Sequence, residues 1–139
     1  GIRKKWNTCI VGMGNLGMAL ANYPGLPSSG FITRALFDNN PNKIGIPMPN
    51  DLVIESTSLL KEIVRERNIE IGVITVPASA AQSTAELLIE ARIKGIVNFA
   101  PVRLSLPPDV RNEEIDISVS FRSLAFNMTF GSSRGRKIR

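Results

Sequence analysis

The feature that most constrains the fold of this chain is a glycine-rich turn close to its start. The segment Gly12-Met13-Gly14-Asn15-Leu16-Gly17 directly follows residues 7–11, an apolar run rich in β-forming side chains. Apolar residues then recur at helical spacing, at Leu16, Ala19, Leu20 and Tyr23. A strand, a tight G-x-G-x-x-G turn and a helix are typical of the phosphate-binding start of a βαβ unit that binds a dinucleotide.

The three glycines of this turn have different physical roles in such a unit. Gly12 permits the tight turn, Gly14 lets the backbone approach a pyrophosphate, and Gly17 allows the helix to pack closely on the strand. The helix N-terminus then offers free N–H groups and partial positive charge to the anion. The glycine pattern alone is weak evidence, because glycine pairs are common in turns, so the residues around it decide its meaning.

Asp38 supplies the second half of the pattern. It follows a predicted strand over residues 31–37 and lies 21 residues beyond Gly17. A carboxylate here accepts hydrogen bonds from the adenosine ribose hydroxyls and repels a 2′-phosphate, so the pattern favours NAD(H) over NADP(H). Two alternatives stay open, namely Asp38 as a solvated residue at a strand end, and NADP(H) as a ligand helped by Lys43.

The rest of the chain predicts alternating strands and helices. Predicted strands cover residues 7–11, 31–37, 52–54, 71–76, 96–100 and 113–117. Helices are expected after the glycine turn, after a cap at residues 56–58, after Pro77 and over residues 119–130. Residues 26–30 and 39–50 are expected to be loops, and Gly95 is expected to end the third helix. This alternation predicts an α/β fold, a Rossmann-type doubly wound parallel sheet whose ligand binds beyond the carboxyl ends of the strands.

Helical spacing also predicts which side chains pack inward. On the second helix these are Leu59, Leu60, Ile63 and Val64, and on the third they are Ala81, Ala85, Leu88 and Ala91. The last helix carries Phe121, Leu124, Ala125 and Met128 at the same spacing. We expect this last helix to be more apolar than one covered face requires.

Composition limits the function. A chain of 139 residues that is 43% apolar and 21% charged is typical of one globular domain. It has no histidine and one cysteine, Cys9, which lies inside the first predicted strand, so we expect neither a disulfide, a zinc site nor a histidine acid. The acidic residues Glu62, Glu66, Glu86 and Glu90 fall on outward helix faces. We therefore expect no catalysis, no membrane span and a cytoplasmic location.

The net charge of +5 is concentrated at the two ends of the chain. Residues 3–5 and 131–139 hold seven of the 17 basic residues, and the other ten are outnumbered by 12 acidic residues. We expect a Rossmann domain over residues 1–130 and a basic flexible tail over residues 131–139. Basic ends can bind phosphate backbones without sequence preference, but solubilising ends are the simpler interpretation, and neither end is typical of a DNA-reading motif.

Three segments are more specific than the glycine turn. Residues 10–17 with 21–25 read IVGMGNLG and ANYPG, residues 76–78 read VPA, and residues 97–104 read VNFAPVRL. Together they resemble the Rex family of redox-sensing transcriptional repressors, from about Trp6 to Met128. The resemblance implies an NAD(H)-binding, redox-sensing domain that is not an enzyme. In that family a winged-helix DNA-binding domain precedes this one, and we expect it to be absent here, so that DNA is bound only through a missing module.

The resemblance also implies a homodimer and a set of cofactor contacts. In this family the C-terminal helix crosses to the partner and packs beside its cofactor site. By position in the motifs, Tyr23 and Asp116 match a polar pair that meets across the dimer, and Ile117 approaches the nicotinamide from the partner. The predicted cofactor-binding residues are these three together with Gly12, Gly14, Asn15, Leu16, Gly17, Asp38, Asn39, Lys43, Val76, Pro77, Ala78, Asn98, Phe99, Ala100 and Pro101.

A redox sensor needs only a difference in affinity between two cofactor forms. Oxidised nicotinamide is a cation and reduced nicotinamide is neutral, so an apolar pocket should favour NADH over NAD⁺. The side chains expected to line this pocket are Val76, Pro77, Phe99 and the partner's Ile117. Two alternatives stay open. One is the cofactor-binding domain of an NAD-dependent dehydrogenase, and the other is a CoA-binding domain, against which Asp38 and residues 98–104 argue.

Overall fold

Seven strands form a single sheet in the computed structural model of the chain, which describes residues 4–131. They are β1 (Trp6–Val11), β2 (Phe31–Asp38), β3 (Pro47–Met48), β4 (Leu52–Ser56), β5 (Ile71–Ile74), β6 (Gly95–Asn98) and β7 (Arg111–Glu114). Their order is β3-β4-β2-β1-β5-β6-β7, and every neighbouring pair is parallel except β3 with β4. Without β3 this is the strand order of a Rossmann fold. The direction in which successive strands are added to the sheet reverses between β1 and β5. The predicted fold class is confirmed.

Five helices and one 3₁₀ turn accompany the strands within the described residues, and the last helix follows the last strand. They are α1 (Asn15–Ala21), α2 (Gly25–Ser28), the 3₁₀ turn (Thr57–Leu59), α3 (Leu60–Glu66), α4 (Ala78–Glu90) and α5 (Ile117–Phe130). The Ser56 hydroxyl accepts a hydrogen bond from Ser58 N at 3.2 Å, so the predicted cap forms at Ser56, on the 3₁₀ turn that leads into α3. A flexible tail is expected over residues 131–139, and residues 132–139 lie outside the described residues.

Two segments expected as loops contain short regular elements. Residues 26–30 hold most of α2, a single turn that follows Pro24. Residues 39–50 include β3, which pairs with β4 through a tight turn where Asn50 and Asp51 take φ angles of 63° and 62°. Asn and Asp are among the non-glycine residues that tolerate a positive φ best. The Asn50-Asp51 pair is therefore the local signal for this hairpin, and the sequence interpretation missed it.

The end of α4 also differs from the prediction. The helix ends at Glu90, and Gly95 is instead the first residue of β6. Arg92 takes a left-handed φ of 66°, and Ile93 N donates a hydrogen bond to the Leu88 carbonyl at 3.0 Å. This is the usual geometry of a helix that ends on a left-handed residue, but the position is normally glycine or asparagine. An arginine there carries no local sequence signal.

The inward face of α1 does not follow the apolar residues that recur at helical spacing after the glycine turn. Of these, Leu16 and Tyr23 are 37% and 55% exposed, whereas Gly17 is buried. The side chains of α1 that pack on the core are Met18, Leu20 and Ala21. A Cβ built on Gly17 would collide with the Gly12 carbonyl, so the close approach of these two residues fixes which side of the helix faces the sheet.

The larger core lies where α3 and α4 cover one face of the sheet. The predicted inward face of α4 is confirmed, because all four side chains are buried: Ala81, Ala85, Leu88 and Ala91. Leu88 fills the notch left by Gly72, where a built Cβ would lie 2.7 Å from Leu88 Cδ1. On α3 the prediction is correct except at Leu59, which is 40% exposed; the buried residues are Leu60, Ile63 and Val64.

The C-terminal helix α5 buries none of its residues against the rest of the domain. Large apolar side chains, each at least half exposed, cover its length: Ile117, Val119, Phe121, Leu124, Phe126, Met128 and Phe130. The expected excess of apolar surface is confirmed. A 14-residue helix on its own is marginal in water, so most of its stability has to come from packing on another surface. Neither α5 nor any other helix among the described residues is long and apolar enough to cross a membrane.

Candidate functional site

A cleft of about 680 Å³ opens at the carboxyl ends of β1 and β5, where the order of the strands reverses. The glycine turn, the end of β2 and the start of α4 form its walls. Nine of the predicted cofactor-binding residues line this cleft: Gly12, Gly14, Leu16, Asp38, Asn39, Lys43, Val76, Pro77 and Phe99. The fold thus brings together, in one cleft, residues from four separate segments of the chain.

The glycine turn combines two steric constraints with one open position. Gly12 has a φ of 103°, and a Cβ built on it would lie 2.8 Å from Thr75 C and from Val76 N. A Cβ on Gly17 would overlap the Gly12 carbonyl. At Gly14, by contrast, a Cβ would meet nothing within 4 Å, and this residue lines the cleft. Gly12 and Gly17 therefore serve the packing of the turn, and Gly14 leaves room for a ligand to approach the backbone.

Thr75 holds the turn in place from the neighbouring strand. Its Oγ1 donates toward the Gly12 carbonyl at 2.6 Å and the Val11 carbonyl at 3.0 Å, and Thr75 N donates to the Val11 carbonyl at 2.9 Å. These bonds link the turn after β1 to the residue after β5, across the point where strand order reverses. Thr75 is a cleft residue that the sequence patterns did not predict. Its signal is a hydroxyl at the end of a buried strand, directly before the Val76-Pro77 pair.

Asp38 closes the cleft from the end of β2 and orders two backbone segments. Its Oδ2 accepts a hydrogen bond from Met13 N at 2.7 Å, and its Oδ1 accepts one from Asn40 N at 2.8 Å. The Lys43 ammonium donates to the Met13 carbonyl. Asp38 is therefore not a merely solvated residue at a strand end. A carboxylate has about four acceptor positions, so both oxygens of Asp38 keep capacity for a donor from a ligand.

Several predicted cofactor-binding residues do not line the cleft within this chain. Asn98 is buried and shapes the loop after β6, because its Nδ2 donates to the Val102 carbonyl at 2.9 Å and its Oδ1 accepts from Ala100 N at 3.0 Å. The others that do not line it are Asn15, Gly17, Ala78, Ala100 and Pro101. For Asn98 the structure assigns a supporting role behind Phe99, and direct contact with a cofactor stays a prediction.

Tyr23, Asp116 and Ile117 also lie outside the cleft of their own protomer. Tyr23 is 55% exposed and lines a separate pocket of about 380 Å³. Asp116 caps α5, since its Oδ1 accepts from the Ser118 hydroxyl at 2.6 Å and from Ser118 N at 2.9 Å. These hydrogen bonds lower the pKa of the Asp116 carboxyl. The pairing of Tyr23 with Asp116 across a dimer stays a prediction.

One face of α4 lines the cleft and was not predicted. The residues that sequence reasoning missed are Val11, Asn40, Thr57, Thr75, Ala80, Ser83, Thr84 and Leu87. Four of these recur at helical spacing on α4: Ala80, Ser83, Thr84 and Leu87. They form the face of the helix next to the buried face that contains Ala81 and Ala85. Small and polar side chains on the face next to the core face are the signal that could have found them.

A cluster of metal-binding side chains or the single cysteine could supply a reactive group among the described residues. Within residues 4–131 no group of three or more Cys, Asp or Glu side chains could hold a metal ion. Cys9 is fully buried in β1, and burial raises the pKa of its thiol to about 12. The thiolate is the reactive form, so Cys9 is inert near neutral pH.

The sequence has clear relatives among known proteins. The CoA binding domain family matches residues 3–102. The redox-sensing transcriptional repressor Rex of Syntrophobacter fumaroxidans is 41% identical over 132 residues, which are 95% of this chain and 63% of the relative. The Rex protein of Thermus thermophilus is 49% identical over 126 residues, 91% of this chain and 58% of the relative. The chain therefore spans about three fifths of the curated relatives that it matches.

Solved structures give the same picture for the fold. The Rex-family repressor RSP, in complex with NADH, superposes with a TM-score of 0.87 at 34% identity, covering 98% of this chain and 65% of that chain. RSP in complex with NAD⁺ and operator DNA gives a TM-score of 0.86 at 34% identity, with 97% and 61% covered. A UDP-D-quinovosamine 4-dehydrogenase, 19% identical with a TM-score of 0.59, shares the fold alone and covers 68% of this chain and 78% of its own.

Proposed function

The chain belongs to the CoA-binding domain family, and from its similarity to Rex redox-sensing transcriptional repressors we propose that it is the NAD(H)-binding sensor domain of such a repressor. It binds NADH in preference to NAD⁺ and catalyses no reaction. The observation that carries this proposal is the cleft, in which the open position Gly14 and the carboxylate of Asp38 lie where the strand order reverses.

The residues of the cleft fit the parts of a dinucleotide. The backbone at Gly14 is open to a pyrophosphate, because no atom would meet a Cβ there. Asp38 keeps acceptor capacity for the hydroxyls of the adenosine ribose, and its charge opposes a 2′-phosphate. Val76, Pro77 and Phe99 give the nicotinamide end an apolar wall. Direct contacts by the other predicted residues are part of the same proposal.

Redox sensing follows from the charge of the nicotinamide ring, which the bound cofactor supplies. A cationic ring loses more by leaving water for an apolar wall than a neutral ring does. Val76, Pro77 and Phe99 therefore penalise the oxidised form more than the reduced form. This difference in affinity is all that a ligand needs in order to shift a protein between two shapes.

The proposed assembly is a homodimer in which α5 crosses to the partner. The exposed apolar length of α5 supports this arrangement, since no residue of α5 is buried against the described part of its own domain. In the dimer the partner's Ile117 lies against the nicotinamide, and Tyr23 meets the partner's Asp116. The first contact completes the nicotinamide end of the cleft, and the second joins the two protomers outside it.

DNA binding and location belong to the same proposal. RSP is described in complex with operator DNA, and we propose that operator DNA is read by a winged-helix domain distinct from this Rossmann domain. The Rossmann domain takes in the described residues up to Phe130. A repressor of this kind acts in the cytoplasm.

Two alternative functions have less support. A dehydrogenase cofactor domain shares the fold, but the dehydrogenase relative is only 19% identical, whereas the relatives at 41% and 49% identity are named as repressors. CoA is the ligand in the name of the matching family. The solved Rex-family structures contain NADH and NAD⁺, and Asp38 in the cleft suits a ribose with free hydroxyls.

Calorimetric titration of the chain with NADH and, separately, with NAD⁺ at equal salt tests the proposal. We expect NADH to bind more tightly, because the apolar wall disfavours the cationic ring. Equal affinities would favour the dehydrogenase domain. Binding of neither cofactor, together with binding of CoA, would favour the CoA-binding domain.

Replacing Asp38 tests the ribose contact. In Asp38→Ala we expect the affinity for NADH to fall roughly tenfold to a hundredfold, since a hydrogen bond to a charged group contributes about 1.5–3 kcal/mol. Discrimination against NADPH should weaken at the same time, because the repelling charge is gone. Asp109→Ala is the matched control, as it removes an exposed carboxylate remote from the cleft. Unchanged titration curves for Asp38→Ala would remove this residue from the site.

A further inference from the structure

A basic pocket of about 510 Å³ lies at the opposite end of the sheet from the nucleotide cleft. Five cationic side chains and one carboxylate line it: Lys4, Lys5, Arg65, Arg92, Lys94 and Glu70. They come from the segments just before β1, β5 and β6 and from the ends of α3 and α4. The amino ends of parallel strands meet at one edge of a sheet, so the fold gathers these charges at one place, which we call the basic pole.

The charges at the basic pole do not cancel one another. Glu70 Oε2 lies 3.2 Å from Lys4 Nζ and 3.9 Å from Lys94 Nζ. Partial burial raises the pKa of Glu70, but the hydrogen bond from Asn7 N and the two lysines lower it overall, so Glu70 is ionised. One carboxylate thus offsets one of five cations. Within the described residues Arg65 and Arg92 form no ion pair.

We propose that the basic pole binds the phosphate backbone of duplex DNA. The proposal rests on the proposed function, since it gives a repressor domain a second, sequence-independent contact with DNA. The cations are spread over several segments and stay exposed, with Lys4 56% and Lys94 74% accessible, and this arrangement suits many phosphates along a chain better than one phosphate at a point. A polyanion that binds exposed cations gains free energy by releasing its condensed counterions.

The basic pole and the nucleotide cleft can be occupied at the same time. The cleft lies beyond the carboxyl ends of the strands and the basic pole lies at their amino ends, and no residue lines both. DNA at the basic pole therefore does not compete with a cofactor for space. The two binding events can be measured separately on the same protein.

The test compares two double variants that lose the same charge. Arg65→Gln with Arg92→Asn removes two cations from the basic pole, and asparagine suits the φ of 66° at position 92. The matched control is Lys61→Gln with Arg103→Gln, two exposed cations outside the basic pole. Binding of the full chain to labelled duplex DNA of arbitrary sequence is followed by fluorescence anisotropy between about 50 and 200 mM salt.

For the basic-pole variant we expect about tenfold weaker binding at low salt. The slope of log affinity against log salt should be shallower by about two, because each phosphate that the protein neutralises contributes about 0.9 to this slope. The control should stay within about twofold of the unmodified chain, and calorimetry should give the same NADH affinity for both variants. Equally weakened binding in both variants, or no salt-dependent binding by the unmodified chain, would overturn the proposal. The proposal would also be overturned if the unmodified chain bound tripolyphosphate saturably and the basic-pole variant lost that binding while still binding DNA like the unmodified chain. The basic pole would then be a site for a small polyphosphate.

Measuring NADH binding on the same proteins distinguishes a failure of the DNA contact from a failure of the proposed sensor function. If the basic-pole variant loses DNA affinity while the unmodified chain fails to bind NADH, the proposed sensor function is wrong and the basic pole stands as a DNA contact. If NADH binds as expected and the basic-pole variant holds DNA like the control, only the further inference fails.

Discussion

Gly17→Ala is expected to destabilise the domain by about 3 kcal/mol or more and to abolish NADH binding. The new Cβ would overlap the Gly12 carbonyl, which is backbone and is held by the Thr75 hydroxyl. Relief requires α1 to move away from β1, which separates side chains already packed in the core. For a chain of this size the loss corresponds to a fall in Tm of roughly 10 °C. Thermal unfolding followed by circular dichroism measures it.

Gly14→Ala is the matched control for this prediction. Gly14 has a φ of −78°, which alanine adopts freely, and its Cβ would meet nothing within 4 Å. We expect its Tm to stay within a few degrees of the unmodified chain, because no packing contact changes. Its NADH affinity should nevertheless fall about tenfold or more, since the methyl group occupies the space through which a pyrophosphate approaches. A Gly17→Ala protein that is as stable as Gly14→Ala would contradict the packing role given to Gly17.

Ending the chain after Ser118 is expected to convert a dimer into a monomer. The deletion removes most of α5, including six of its seven large, exposed apolar side chains. Burying such a side chain in an interface contributes about 1.5–3 kcal/mol relative to leaving it in water. Losing six of them should raise the dissociation constant of the dimer by at least about three orders of magnitude. Sedimentation should then show a monomer in place of a species of twice 15.2 kDa.

The control for the deletion ends the chain after Gly131. It removes the basic tail and keeps α5 whole, so we expect it to sediment like the full chain. The protein that ends at Ser118 should keep the far-ultraviolet spectrum of the remaining sheet and helices, because α5 buries no residue in its own domain. A protein ending at Ser118 that still sediments as a dimer would show that α5 is not the interface.

Local sequence patterns predicted the parts of the cleft whose geometry is local. The spacing of Gly12, Gly14 and Gly17 and the place of Asp38 at a strand end are fixed by the turn and by the pairing of β1 with β2. A pattern of a few residues can specify such geometry, because each residue meets neighbours close in the chain or on the adjacent strand. The alternation of elements predicted a parallel sheet with helices on both faces, and the order of the strands followed from that fold class rather than from any local pattern.

The features that were missed depend on contacts between distant segments. Thr75 is significant only because β5 lies beside β1, and the rotation of α1 depends on the contact of Gly17 with a carbonyl, which apolar spacing does not encode. The charge distribution is a similar case. Along the sequence the basic residues concentrate at the ends, yet the fold carries Arg65 and Arg92 to the start of β1. Counting charges along a chain cannot reveal this convergence.

Strand β1 runs from the basic pole at Trp6 to the glycine turn after Val11, a span of about 20 Å for six residues. It is paired on both edges, and its last four residues are buried. A strand held in this way resists bending, so a ligand at one end is not expected to deform the other. In the proposed dimer we therefore expect coupling between the two ends to take the form of a rigid-body rotation of one domain against its partner. In such a rotation β1 moves as a rigid element, so a small tilt at the glycine turn also displaces the basic pole at the other end of the strand.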